Sequence, residues 1–135
     1  MFDITERGII SLNRGDSFEM PVFINVGDNL NPIEYKIDDR DIVYFGLMEP
    51  NQPFETAIVR KKYTLADVDN NGRVVVKFRS QDTQCLLPGK YYYQIKVQSF
   101  KPDNPSEYDV STVVDKTHFF IMEWLYKYVS DKITL

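Results

Sequence analysis

The stretch from Asp82 to Val97 reads DTQCLLPGKYYYQIKV. Pro88-Gly89 breaks whatever precedes it, and a run with period-two alternation follows. Strand side chains point to opposite faces in turn, so Tyr91, Tyr93, Ile95 and Val97 share one face. Tyr92, Gln94 and Lys96 share the other. The first set predicts a core face, and Tyr92 alone of the three tyrosines is left as a contact candidate. Cys85, the chain's one cysteine, excludes an intrachain disulfide and fits a reducing compartment or a particle assembled in one. A catalytic thiol needs a base, and nothing places the lone His118 beside it, so Cys85 is expected to be a buried structural thiol.

The same alternation recurs through the 135 residues, a length that suits one domain. Phe18, Met20, Val22, Ile24 and Val26 fall on one face, with Pro21 opposite them marking an edge or a bulge. Asp41 to Met48 is apolar on both faces, as a central strand would be, and Gly46 marks a close backbone approach. Ala57 to Tyr63 is a more polar strand carrying Arg60-Lys61-Lys62, expected as a solvated edge. Val74, Val76 and Phe78 alternate in a further strand, and a late one spans roughly Val110 to Met122. Polar, proline-containing breaks separate these runs, among them Asn29–Pro32, Glu49–Pro53 and Lys101–Pro105, the last a hairpin connection. Short helical pieces are expected at Thr64–Asp67 and from Ser80. Aromatic residues make up 14% of the chain and alanine only two positions, which favours strands over helices. The pattern predicts an all-β sandwich over residues 1–123. Residues 124–135 form an aromatic tail that packs on its own domain or contacts a neighbouring subunit.

Net charge is −4, against a backbone-tracking nucleic-acid binder. No apolar run approaches the ~20 residues of a membrane span, and no secretory signal opens the chain. Asp67-Val68-Asp69-Asn70-Asn71-Gly72 opens like a calcium loop, but the twelfth position is Phe78 where a glutamate should sit, so a β-turn is expected. Arg14-Gly15-Asp16 reads as a turn. Asp38-Asp39-Arg40-Asp41 reads as a solvated loop rather than a paired-carboxylate site. Nothing resembles a phosphate loop, a nucleophile elbow or zinc spacing, so no catalytic, metal or cofactor residue is assigned.

Three short motifs carry a resemblance: Arg14-Gly15-Asp16-Ser17, Asn71-Gly72-Arg73-Val74, and Pro88-Gly89-Lys90-Tyr91 after Asp82-Thr83. With the strand Asp41 to Met48, they resemble the immunoglobulin-like N-terminal domains of phage baseplate upper proteins and related phage tail proteins. The resemblance implies an immunoglobulin-like antiparallel β-sandwich with short helical crossovers, Tyr91 being the anchor of a tyrosine corner. It also implies a structural virion component of a baseplate, tail or neck, assembled in the host cytoplasm. Its partners would be other virion proteins and copies of itself, with no nucleic acid, membrane or cofactor. Interface candidates are Trp124, Tyr126 and Tyr128 in the tail, Pro53 and Phe54 in the Pro50–Phe54 loop, and Tyr92. The alternatives left open are a small intracellular inhibitor or adaptor of one host protein, a carbohydrate-binding sandwich, and a carbohydrate-active enzyme.

Overall fold

A computed structural model describes residues 2–26, 30–31, 33–101 and 103–123. In chain order the strands are β1 (Phe2–Ile4), β2 (Ile10–Asn13), β3 (Phe18–Pro21), β4 (Asn25–Val26) and β5 (Ile33–Glu34). They continue with β6 (Ile42–Met48), β7 (Val59–Tyr63), β8 (Val75–Phe78), β9 (Gly89–Lys101) and β10 (Asn104–Met122). Six form one sheet in the order β1-β2-β10-β9-β6-β7, while β3-β8 and β4-β5 are two-stranded. The chain is all-β, as the alternation predicts. Its helical content among the described residues is one α-turn, α1 (Ser80–Thr83), and 3-10 turns at Phe54–Thr56 and Leu65–Asp67.

The opening stretch folds as read. Tyr91, Tyr93, Ile95 and Val97 are buried and Tyr92, Gln94 and Lys96 only half-buried. The Tyr91 hydroxyl donates to the Leu87 carbonyl at 2.6 Å, tying the entry of β9 to the loop before it. β6 is central, flanked by β9 and β7, and β7 is the sheet's edge. The Arg14-Gly15-Asp16 segment is a turn, closed by the Asp16 amide on the Asn13 carbonyl at 3.0 Å. It is pinned to α1 where the Gly15 amide donates to the buried Thr83 hydroxyl at 2.9 Å. The Asp69–Gly72 segment is a turn too. There the Asp69 carboxylate accepts from the amides of Arg73 and then Asn71, which lowers its pKa, and Gly72 takes φ +75°.

Aromatic rings join the layers. Phe18 of β3 stacks on Phe78 of β8, with centroids 4.8 Å apart. Phe78 in turn meets Phe119 of β10 at 5.6 Å and Phe45 of β6 edge-on at 5.3 Å. Phe45 stacks on Tyr93 at 5.6 Å. Each ring pair adds roughly 0.5–1.5 kcal/mol beyond the area it buries. At the margin, the Tyr63 hydroxyl accepts from the Lys77 amide at 3.0 Å, a polar link between the two sheets.

Four expectations need correction. β2 pairs with β10 in parallel, so the sheet is not wholly antiparallel. Cys85 is exposed, because α1 ends at Thr83 and it is Thr83 that the core receives. The late strand starts at Asn104 rather than near Val110, since Asn104 already pairs with Lys101 of β9. Asp41 is buried, unlike its exposed neighbours Asp38 and Asp39. Its carboxylate accepts from the Tyr35 hydroxyl and from the Asp38 amide at 2.8 Å, locking the loop that leads into β6. Trp124, Tyr126 and Tyr128, with the rest of the 124–135 tail, lie outside the described residues.

Two predictions follow from this packing. Phe78→Ala removes the ring that touches Phe18, Phe45 and Phe119, and should cost about 3–5 kcal/mol in urea unfolding. A loss under roughly 1 kcal/mol would show that the stack does not hold the layers. The second concerns pH. Burial pushes the Tyr93 hydroxyl up to about 12, and burial followed by the Asp41 hydrogen bond does the same to Tyr35. Unfolded tyrosines ionise near 10. Their raised folded pKa values mean this stabilisation is full below about pH 10 and lost as pH rises through about 12. Tyr93→Phe should flatten that alkaline loss; an unchanged pH profile would contradict the assignment.

Candidate interaction face

One face of the six-stranded sheet carries β3-β8 and the core. Alternation turns a second set of side chains to the opposite face, and register shows who shares it. Tyr44 lies between Lys62 and Lys96, Gly46 between Arg60 and Gln94, and His118 beside Tyr92. Phe120 pairs with Lys90, and Val110 with Gln98. No described strand covers this face.

The loop after β6 folds back on it. A Cβ at Gly46 would lie 2.7 Å from Phe54 Cε2, so the ring rests on bare backbone and a side chain there would collide with it. Gly46 is thus the close approach its position suggested. Phe54 is half-buried rather than a free knob, while Pro53 before it is exposed. Lys96 Nζ lies 4.6 Å from the Phe54 centroid. Tyr44, Phe54, Glu55, Arg60, Lys96 and Val110 line a hollow of about 390 Å³. The other candidate, Tyr92, packs against His118 at 4.9 Å, with Lys116 Nζ 5.5 Å and Lys90 Nζ 5.8 Å from its ring centre. Phe54 and Tyr92, predicted separately, therefore share one surface.

The charge on this face is predominantly positive. Elsewhere Arg14, Lys36, Lys61 and Arg73 each meet a carboxylate, while Arg7, Arg40, Lys77 and Arg79 form no ion pair among the described residues. Lys61 shows the contrast within one tripeptide: it turns from the face to Asp82 at 2.8 Å, while Arg60 and Lys62 stay exposed on the edge strand. Among the described residues, Arg60, Lys62, Lys90, Lys96 and Lys116 form no ion pair. Cation–π contacts hold three of them in place. Two carboxylates oppose them: Glu55 lines the hollow, and Asp115 lies on the strands. The Lys116 amide and then the Gln94 amide group hold its pKa down, with Lys96 and Lys116 adding charge.

The hairpin continues past the sheet. β6 pairs with β9 only as far as Gln98, and β2 pairs with β10 only at Phe119–Met122. Beyond those points the hairpin strands pair only with each other. Residues 106–112 are seven consecutive exposed strand residues, with Tyr108 56% and Val110 54% accessible. Sequence reading missed this extension and the role of Lys96 and Arg60. The available signal was the even-numbered set along Lys90–Gln98, which is cationic and aromatic where a plain solvated face needs neither.

A second hollow, about 420 Å³, lies between the β4-β5 arm and the hairpin and is lined by Phe23, Tyr35, Val97 and Ser111 among others. Among the described residues, no group of three or more His, Cys, Asp or Glu is placed to hold a metal ion. No protein-family model, curated protein or solved structure matches this chain.

Gly46→Ala should destabilise the protein by about 1–3 kcal/mol, because the new methyl meets the Phe54 ring. Adding Phe54→Ala should relieve most of that cost. Additive losses in the double-mutant cycle would show that the ring does not rest on Gly46.

Proposed function

We propose that the chain is an immunoglobulin-like sandwich acting as a structural component of a tailed-phage particle. It would serve in a baseplate, tail or neck by packing against other virion proteins and copies of itself, without catalysis or cofactor. Topology supports the fold part. Immunoglobulin-like sandwiches set a C′-C-F-G sheet against a layer containing strands B and E. Taken in chain order, β7-β6-β9-β10 matches the first and β3-β8 the second. The Tyr91 hydroxyl bonded to a backbone carbonyl four residues upstream supports a tyrosine corner. Phe45, Phe78 and Tyr93 then occupy the region that a disulfide and tryptophan fill in antibody domains.

The observation that carries the functional part is the uncovered sheet face. It presents Tyr44, Phe54, Tyr92 and Phe120 with five cations that lack ion-pair partners among the described residues. Aromatic and arginine side chains are the usual anchors of protein interfaces. A carbohydrate platform is less well supported, because lysines lie against the Tyr92 ring. The resemblance to baseplate upper proteins supplies the virion setting. The tail residues Trp124, Tyr126 and Tyr128 remain a second proposed contact.

Mass spectrometry of purified tailed particles from lysates of the source should find the chain in fixed ratio to other tail proteins. Recovery only in complex with one host protein, never in particles, would replace this reading with the inhibitor or adaptor.

A further inference from the structure

We infer that the basic, aromatic sheet face is the receptor for the β9–β10 ribbon of a second copy of this chain. The inference rests on the packing reading above and names the two surfaces that meet.

The ribbon has the properties of a donor. Ser99–Lys101 and Asn104–Asp109 pair only with each other, and a two-stranded ribbon alone in water is marginally stable. Tyr108 projects with Phe100, the ring centres 6.0 Å apart, and stays more than half exposed. Asp103, Glu107 and Asp109 outnumber Lys101 along the ribbon, so it is acidic. The face has the complementary properties. Its hollow offers Tyr44 and Phe54 as an apolar floor, with Arg60 and Lys96 beside them outweighing Glu55, and Lys62 next to Tyr44. Because the chain as a whole is net −4, a net-positive face leaves the remaining surface acidic. A second copy carries the same net −4, so the match is a local one, between the acidic ribbon and the basic face.

The two surfaces differ, so the contact is head-to-tail. Such contacts repeat from copy to copy, closing a ring if the rotation permits and extending a filament if it does not. This is how a small sandwich could build a multi-copy layer without a symmetric dimer.

Sedimentation velocity on the intact chain tests the contact. Association should appear at low salt and disappear near 1 M salt, where the screening length is about 3 Å. The variants R60E/K96E and D103K/D109K should each associate at least roughly tenfold more weakly than the parent. Circular dichroism and thermal melting check that both remain folded. Mixing them, which pairs a reversed face with a reversed ribbon, should restore association. Reversal variants that associate as well as the parent, or a mixture that stays monomeric, would overturn the contact. Salt-insensitive association surviving both reversals would reject this contact yet leave packing between copies intact. A parent chain that is monomeric at every salt would count against packing between copies as well. A single-stranded oligonucleotide bound by the parent and lost in R60E/K96E, without self-association, would make the ligand a nucleic acid and overturn the inference.

Discussion

The stacking of Phe78 against Phe18, Phe119 and Phe45 is the constraint on which the rest depends. The second layer under the large sheet is small, chiefly β3 and β8. Two strands cannot cover six with aliphatic side chains alone. Large rings close the gap because each spans more of it and meets its neighbour at a fixed geometry. No disulfide is possible with one cysteine, so these contacts and the Tyr63–Lys77 hydrogen bond take over the task of holding the layers.

The small second layer has a consequence on the opposite side. Apart from Gly46 and Met48 of β6, which are buried in register with the other face, the buried strand positions of the six-stranded sheet serve one core, and that other face has no described strand across it. There Tyr44, Tyr92 and Phe120 sit among Arg60, Lys62, Lys90, Lys96 and Lys116. Glycine at position 46 lets Phe54 lie on the sheet, and Lys96 lies against that ring. Fold and proposed function are thus two sides of one sheet: odd-numbered residues of β9 make the core, and even-numbered residues make the surface offered to partners.

Much of this was legible in the sequence. Period-two alternation located β3, β8 and β9 and sorted the three tyrosines correctly, because burial on one face imposes that period; β6 was found as a run apolar on both faces. Turn chemistry located the Asp69–Gly72 and Arg14–Asp16 turns, because those residues are set by local backbone geometry. What failed depended on contacts that alternation does not encode. Asp41 looked like its exposed neighbours and is buried because Tyr35 reaches it. Cys85 looked like core and is exposed because a one-turn helix points Thr83 inward instead. Parallel pairing of β2 with β10 joins segments over a hundred residues apart, and no local pattern encodes it. The proposed interaction face was half legible. Tyr92, Pro53 and Phe54 could be named, but the segregation of charge appears only when register sets Lys96 and Arg60 beside them.

The central claim is that the open sheet face and the free ribbon are contact surfaces. Hydrogen exchange with mass spectrometry, comparing dilute chain with the assembled state, tests it most directly. Amides of residues 106–112 gain protection on assembly if the claim holds, together with those of the loop carrying Phe54. Unchanged exchange in both segments, with protection gained instead on the outer side of β3 and β8, would contradict it.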